Sequence, residues 1–117
     1  MTDKLLDIID TALDEMAITY NLTGHDYVKE IVFCMCIGKL DRKESFSKVV
    51  YPYISEKFNT KPANVERCVK TVVVKSWNRS SDYAKIKNIG YSSIECSKPP
   101  SNKRFLIALA EEIDKKR

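Results

Sequence analysis

The sequence is poor in glycine and proline, with only three Gly and four Pro in 117 residues. Proteins built from many short strands need these residues at their turns, so the shortage argues against a loop-rich sheet fold. The chain also lacks an apolar run long enough to cross a bilayer, and its acidic start does not resemble a signal peptide. Because 44% of the residues are hydrophobic, the chain can still build a core. We expect one soluble, cytoplasmic domain over residues 1–117.

Histidines and close cysteine pairs are also scarce. His25 is the only histidine, and the cysteines form no C-x-x-C pair. A structural zinc site needs four ligands, usually in close pairs, so no metal site is predicted. We expect buried free thiols at Cys34, Cys36, Cys68 and Cys96. No nucleophile is paired with a base, and His25 is expected to be a surface or capping residue, so we predict no enzyme activity, cofactor or small-molecule ligand.

Charge is distributed unevenly along the chain. Residues 1–40 carry three Lys against seven Asp or Glu, a net charge of −4. Residues 41–117 carry seventeen Lys or Arg against nine Asp or Glu, a net charge of +8. A basic body behind an acidic start favours a polyanionic partner, most often nucleic acid, although an ordinary solvated surface has similar charges.

Apolar residues recur at helical spacing along most of the chain, and polar residues suited to helix caps fall between these segments. The expected caps are Thr23, Ser45 or Ser47, Thr60, Ser80 or Ser81, and Asn102. The pattern predicts an all-α fold, a compact bundle of about six helices. A helix-turn-helix is expected at about residues 52–78, with Asn59 in the turn and Ile54 and Phe58 as apolar anchors.

The run "TVVVK" within residues 58–77 raises the alternative of a strand, because valine favours sheets. An alternating strand would leave lysine or threonine on both faces, so neither face would be cleanly apolar. A helix over residues 63–78 instead gathers Val65, Val69, Val72 and Trp77 on one side. We therefore predict a helix, with the valines on its buried side.

The opposite side of this helix is polar and could enter the major groove of double-stranded DNA. Arg suits guanine, Asn suits adenine, and Glu can accept a hydrogen bond from cytosine. The candidate base-reading residues are Asn64, Glu66, Arg67, Lys70 and Thr71. The candidate phosphate-binding residues are Lys48, Lys57, Thr60, Lys61, Lys75, Arg79 and Lys103. A solvated amphipathic helix is the simpler alternative, since many helical bundles contain such a corner.

Three blocks of the sequence resemble the C-terminal DNA-binding domain of the master sporulation response regulator of endospore-forming bacteria. They are "SFSKVVYPYISEKFNT", "NVERCVKTVVVKSWNR" and, more weakly, "KPPSNKRFLIALAEEI". The resemblance implies six helices around a helix-turn-helix and binding to an AT-rich box with a TCG core. Glu66 and Arg67 match the end of the family's R-x-E-R pattern. Asn64 replaces its first arginine, Lys70 a later arginine and Thr71 a histidine.

The resemblance also implies a homodimer on tandem DNA sites, promoted in the family by an N-terminal phosphoacceptor domain. This chain passes from Met1 directly into the helical module. It is therefore either an excised fragment or a stand-alone regulator, and we expect the latter. Because Asn64 and Lys70 depart from the family pattern, a second hypothesis is a protein-interaction module that modulates a full-length regulator without specific DNA binding of its own.

Overall fold

Helices bring the apolar residues of the chain together in one core. The structure, a computed structural model, describes residues 2–117, which form six α-helices and one π-helical turn and contain no strand. The helices are α1 Thr2–Glu15, α2 His25–Cys36, α3 Tyr51–Lys57, α4 Pro62–Arg79, α5 Asp82–Ile89 and α6 Asn102–Lys115, and the π-helical turn is Phe46–Val50. The radius of gyration is 13.1 Å, close to the value of about 13 Å for a compact chain of this length. The predicted all-α bundle is confirmed, and the assignment of residues 1–117 to one domain stays a prediction.

Helices α2 and α6 form the centre of the bundle and pack against each other. Val28, Ile31 and Val32 of α2 are fully buried, as are Phe105 and Leu109 of α6. Each such side chain stabilises the fold by about 1.5–3 kcal/mol relative to leaving it in water. No helix among the described residues is long and apolar enough to span a membrane.

Helix α4 packs one side against this centre. Its buried side chains are Val65, Cys68, Val69, Val72, Val73, Ser76 and Trp77. The helix predicted over residues 63–78 is confirmed, and the strand alternative is excluded. The valine run forms part of the buried face because helical spacing turns Val72 and Val73 inward, while Val74 is only half-buried.

Two of the predicted caps are confirmed. Ser45 Oγ accepts a hydrogen bond from Lys48 N at 3.2 Å, before the π-helical turn. Ser81 Oγ accepts one from Ala84 N at 3.1 Å, at the start of α5. In both places the serine precedes the first helical residue and its extended backbone lets the hydroxyl reach a free N–H of the first turn.

Three predicted caps are wrong. Gly24, and not Thr23, precedes α2, and no side chain caps that helix. Lys61, and not Thr60, precedes α4, and no side chain caps that helix; Pro62 begins it, where a missing N–H costs little. Ser101, and not Asn102, caps α6 through a 3.2 Å hydrogen bond from Arg104 N. Helices α2 and α4 each begin one residue later than the predicted cap requires. The cap of α6 lies one residue earlier than predicted.

The environments of His25 and the thiols differ from the expectation in part. His25 is only 4% exposed, because the ring of Tyr20 lies over it with ring centroids 4.9 Å apart. It is therefore a buried residue and neither a surface nor a capping one. Cys34 and Cys68 are buried free thiols, as predicted, whereas Cys36 and Cys96 are half-buried.

Candidate nucleic-acid interface

Helices α3 and α4 are joined by a short turn at residues 58–61, as the helix-turn-helix prediction requires. Asn59 has a φ of 52°, the left-handed conformation expected of it. Thr60 N donates a 2.8 Å hydrogen bond to Ser55 O, which closes the end of α3. Ile54 is fully buried, and Phe58 packs edge-on against Tyr27 with ring centroids 5.2 Å apart. The turn therefore holds α4 in a fixed place against the bundle.

The predicted base-reading residues share the outward side of α4. Glu66, Arg67, Lys70 and Thr71 are exposed, and Asn64 is half-buried at the start of the strip. We call these residues the polar strip of α4. Their neighbours Val65, Cys68 and Val72 are buried on the other side, so the orientation follows from the apolar period. The structure thus brings together the side chains that the sequence predicted would lie together.

Hydrogen bonds link several of these side chains. Asn64 Nδ2 donates to Thr60 Oγ1 at 2.9 Å, and Arg67 Nη2 donates to Asn64 Oδ1. Thr71 Oγ1 donates to Arg67 O at 3.1 Å. The amide of Asn64 is therefore used within the protein at both its oxygen and its nitrogen. This set of contacts, which sequence reasoning missed, follows from the spacing of three and four residues within α4 and from the turn to its first residues.

A groove of about 710 Å³ runs along one side of the polar strip, between α4, the π-helical turn and the start of α6. Lys43, Lys70 and Lys103 line it together with Arg67, and Glu66 is its one acidic lining residue. We call it the basic groove. Lys43 was not among the predicted phosphate-binding residues, although it lies in the basic part of the chain, residues 41–117. A lining of this charge can hold a polyanion backbone.

Asn102 joins the start of α6 to the polar strip. Its Nδ2 donates to Tyr51 Oη at 3.0 Å and to Glu66 O at 3.2 Å. The side chain that was predicted to cap α6 instead ties α6 to α3 and α4. Because it sits 36 residues from Glu66 in the sequence, no local pattern points to this contact.

A second groove, of about 170 Å³, lies on the other side of the polar strip. Arg67, Thr71 and Lys75 line its α4 side, and residues 21–24 line the opposite side. Gly24 approaches α4 so closely that a Cβ on it would lie 2.5 Å from Cys68 O. The loop before α2 therefore rests directly on the backbone of α4, and the polar strip is flanked by a groove on each side.

The predicted phosphate-binding residues differ in exposure and in the contacts they make. Lys48, Lys61, Arg79 and Lys103 are exposed, and Lys75 and Thr60 are half-buried. Lys57 is paired with Glu30, with 2.6 Å between Nζ and Oε2, and this hydrogen bond raises the pKa of Lys57. Arg79 is twelve residues beyond Arg67 on α4, a distance of about 18 Å along the helix axis. Of the seven residues, Lys103 lines the basic groove and Lys75 the second groove, whereas Lys57 is engaged by Glu30.

A comparison with protein families identifies the chain. The family model for the C terminal of the sporulation initiation factor Spo0A matches residues 9–113. The matched range contains α2 to α5, the polar strip and the lining of both grooves, and it includes half of α1 and most of α6. The resemblance seen in the sequence blocks is thereby confirmed. The chain belongs to the family of sporulation initiation factor Spo0A C-terminal domains, which are DNA-binding regulators of transcription in sporulation.

Proposed function

We propose that this domain binds double-stranded DNA sequence-specifically, with α4 in the major groove. The observation that carries the proposal is the polar strip, which presents an arginine and a glutamate side by side at its centre, next to the basic groove. Arg67 can donate two hydrogen bonds to a guanine, and Glu66 can accept one from a cytosine. Lys70 and Thr71 continue the strip one turn further and would contact neighbouring bases, and Asn64 begins it.

The basic groove supports the same orientation of DNA. A helix in the major groove places a sugar-phosphate strand along each of its sides. Lys43 and Lys103 lie in the groove on one side of α4, and Lys75 lies in the groove on the other. Their ammonium groups would neutralise phosphates on the two strands, a sequence-independent part of the binding that weakens as salt rises.

Selection of preferred sites from random DNA, followed by affinity measurements on the selected site and on a scrambled one, tests the proposal. Arg67→Ala should lose about 1–3 kcal/mol of discrimination at one base pair. Lys103→Ala should weaken binding to all sequences alike and lower the salt-dependence slope by about 1. Lys115→Ala is the matched control, because it removes the same charge from the other end of α6. Equal affinity of the wild-type protein for selected and scrambled DNA would refute the proposal.

A homodimer on tandem sites is a further part of the proposal, supported by the resemblance of the sequence to the family. Two copies should bind a DNA with two boxes more tightly than independent binding to two single boxes allows. Sedimentation of the protein with one-box and two-box DNA measures the number of bound copies. Strictly independent occupancy of the two boxes would contradict this part without affecting base readout.

A further inference from the structure

We propose that Asn64 positions the Arg67 side chain for base readout and does not itself contact a base. The proposal rests on the proposed function, and it assigns a different role to the residue that begins the polar strip. Asn64 is a positioning residue in this account, and Thr60 is the residue that holds it.

The hydrogen bonds of Asn64 carry the argument. An asparagine that reads adenine must offer its amide oxygen and an amide N–H to the base together. Here Oδ1 accepts from Arg67 Nη2, and Nδ2 donates to Thr60 Oγ1 at 2.9 Å. The Cys68 thiol, which is buried, also lies 3.7 Å from Oδ1. Asn64 would have to break its bonds to both Thr60 and Arg67 to turn toward a base.

Thr60 is itself fixed. Its backbone N–H donates to Ser55 O at 2.8 Å at the end of α3, and the residue is half-buried in the turn. The order of contacts therefore runs from the turn through Thr60 and Asn64 to the guanidinium of Arg67. A rigid part of the fold sets the direction of an exposed side chain.

The consequence for base readout is that the Arg67 side chain loses less conformational entropy on binding. A free arginine on a helix surface loses rotamer freedom when it contacts a base, and immobilising such a side chain weakens binding. Asn64 holds one Nη2 hydrogen, and the remaining N–H groups of the guanidinium suffice for a bidentate contact with guanine. Arg67 therefore loses less rotamer freedom when it contacts the base, because its contact with Asn64 already restricts the side chain.

A double-mutant cycle on the selected DNA site separates the two roles of Asn64. The four proteins are wild type, Asn64→Ala, Arg67→Ala and the double variant, each measured against every base substitution in the site. We expect Asn64→Ala to reduce discrimination at the base pair read by Arg67, by roughly two- to tenfold. In the Arg67→Ala background, the same change should have no further effect on discrimination. Relaxed discrimination at a different base pair, additive with Arg67→Ala, would overturn the inference.

Two conservative variants keep the test decisive if Asn64→Ala folds poorly. Asn64→Asp retains an acceptor for Arg67 and should keep discrimination at that base pair, whereas an asparagine that reads adenine would lose its donor. Thr60→Val removes the hydroxyl at nearly constant volume and should reduce discrimination at the same base pair, to a smaller extent. Loss of discrimination in Asn64→Asp together with no change in Thr60→Val would overturn the inference.

Asn78→Ala is the matched control, because Asn78 is an exposed asparagine on the same helix, about 21 Å from Asn64 along the axis. It should leave discrimination at the Arg67 base pair unchanged. The outcome also separates the two proposals. A wild-type protein without any preferred site overturns both, whereas a preferred site that depends on Arg67 and ignores Asn64 overturns the positioning role alone.

Discussion

The close approach of Gly24 to α4 predicts that even the smallest side chain at this position destabilises the domain. The backbone of Gly24 has a φ of −82°, which any residue can adopt, so the conformation alone does not require glycine. A Cβ would, however, lie 2.5 Å from Cys68 O and 2.7 Å from Val72 Cγ2. The methyl group of Val72 can move, but the carbonyl oxygen belongs to the α4 backbone and cannot.

The size of the effect follows from this geometry. An ordinary contact begins at 3.4 Å, so Gly24→Ala must separate the loop and α4 by about 1 Å. Overpacking of this kind costs about 1–3 kcal/mol. For a chain of this length, each kcal/mol lowers the melting temperature by about 4 °C. Urea unfolding, monitored by the circular dichroism of the helices, should show a lower midpoint concentration. The dependence of the unfolding free energy on urea concentration should be unchanged.

Gly38→Ala provides the matched control. Nothing lies within 4 Å of a Cβ at Gly38, but its φ of +84° strains any other residue, at a cost of about 1–2 kcal/mol. The two variants should therefore lose similar amounts of stability for different reasons. Only Gly24→Ala should also weaken DNA binding, since it shifts the loop that rests on α4. If Gly24→Ala unfolds at the same urea concentration as wild type, the inferred contact with Cys68 O is wrong.

Three further predictions concern the core, an ion pair and a thiol. Ser76→Ala should cost about 1–3 kcal/mol in urea unfolding, because Ser76 Oγ donates a buried 2.6 Å hydrogen bond to Met16 O; unchanged stability would contradict this. The hydrogen bond from Lys87 lowers the pKa of Glu15, so the stability that Lys87→Gln removes should be present above about pH 4.5 and vanish as pH falls through the lowered pKa; a loss independent of pH between 7 and 2 would contradict it. Burial raises the pKa of Cys34 to about 11, so at pH 8 roughly one thiol in a thousand is ionised. Iodoacetamide should therefore label Cys34 slowly in the folded protein, as measured by mass spectrometry, and labelling as fast as in urea would contradict this.

The parts of the fold that the sequence predicted correctly are those governed by local signals. The period of the apolar residues placed Val65 and Val69 on the buried side of α4 and excluded a strand. Ser45 and Ser81 each belong to a predicted pair of alternative caps, which the sequence indicates because a cap acts within one turn. Asn59 was found because a left-handed residue follows from the turn itself.

The errors arise where contacts between distant segments decide whether a side chain is buried and what it binds. His25 is buried because Tyr20 covers it, and neither residue type signals that contact. The sequence predicts Asn102 as a cap, yet its amide reaches Tyr51 and Glu66. In the candidate interface, the polar strip could be predicted because all of its residues belong to one helix. The basic groove could not, because Lys43 and Lys103 meet there only after folding.

The contacts on both sides of the polar strip give Arg67 a defined position. Asn102 holds Glu66 O, the carbonyl just before Arg67, and Gly24 lies so close to Cys68 O, the carbonyl just after it, that a Cβ would not fit between them. The start of α6 and the start of α2 thus fix the backbone on either side of this residue, while Asn64 fixes its guanidinium. Base readout needs donors held to about 0.5 Å by supporting residues. Under the proposed base readout, the residues that determine specificity would therefore extend beyond the surface of α4 to side chains that need not touch DNA.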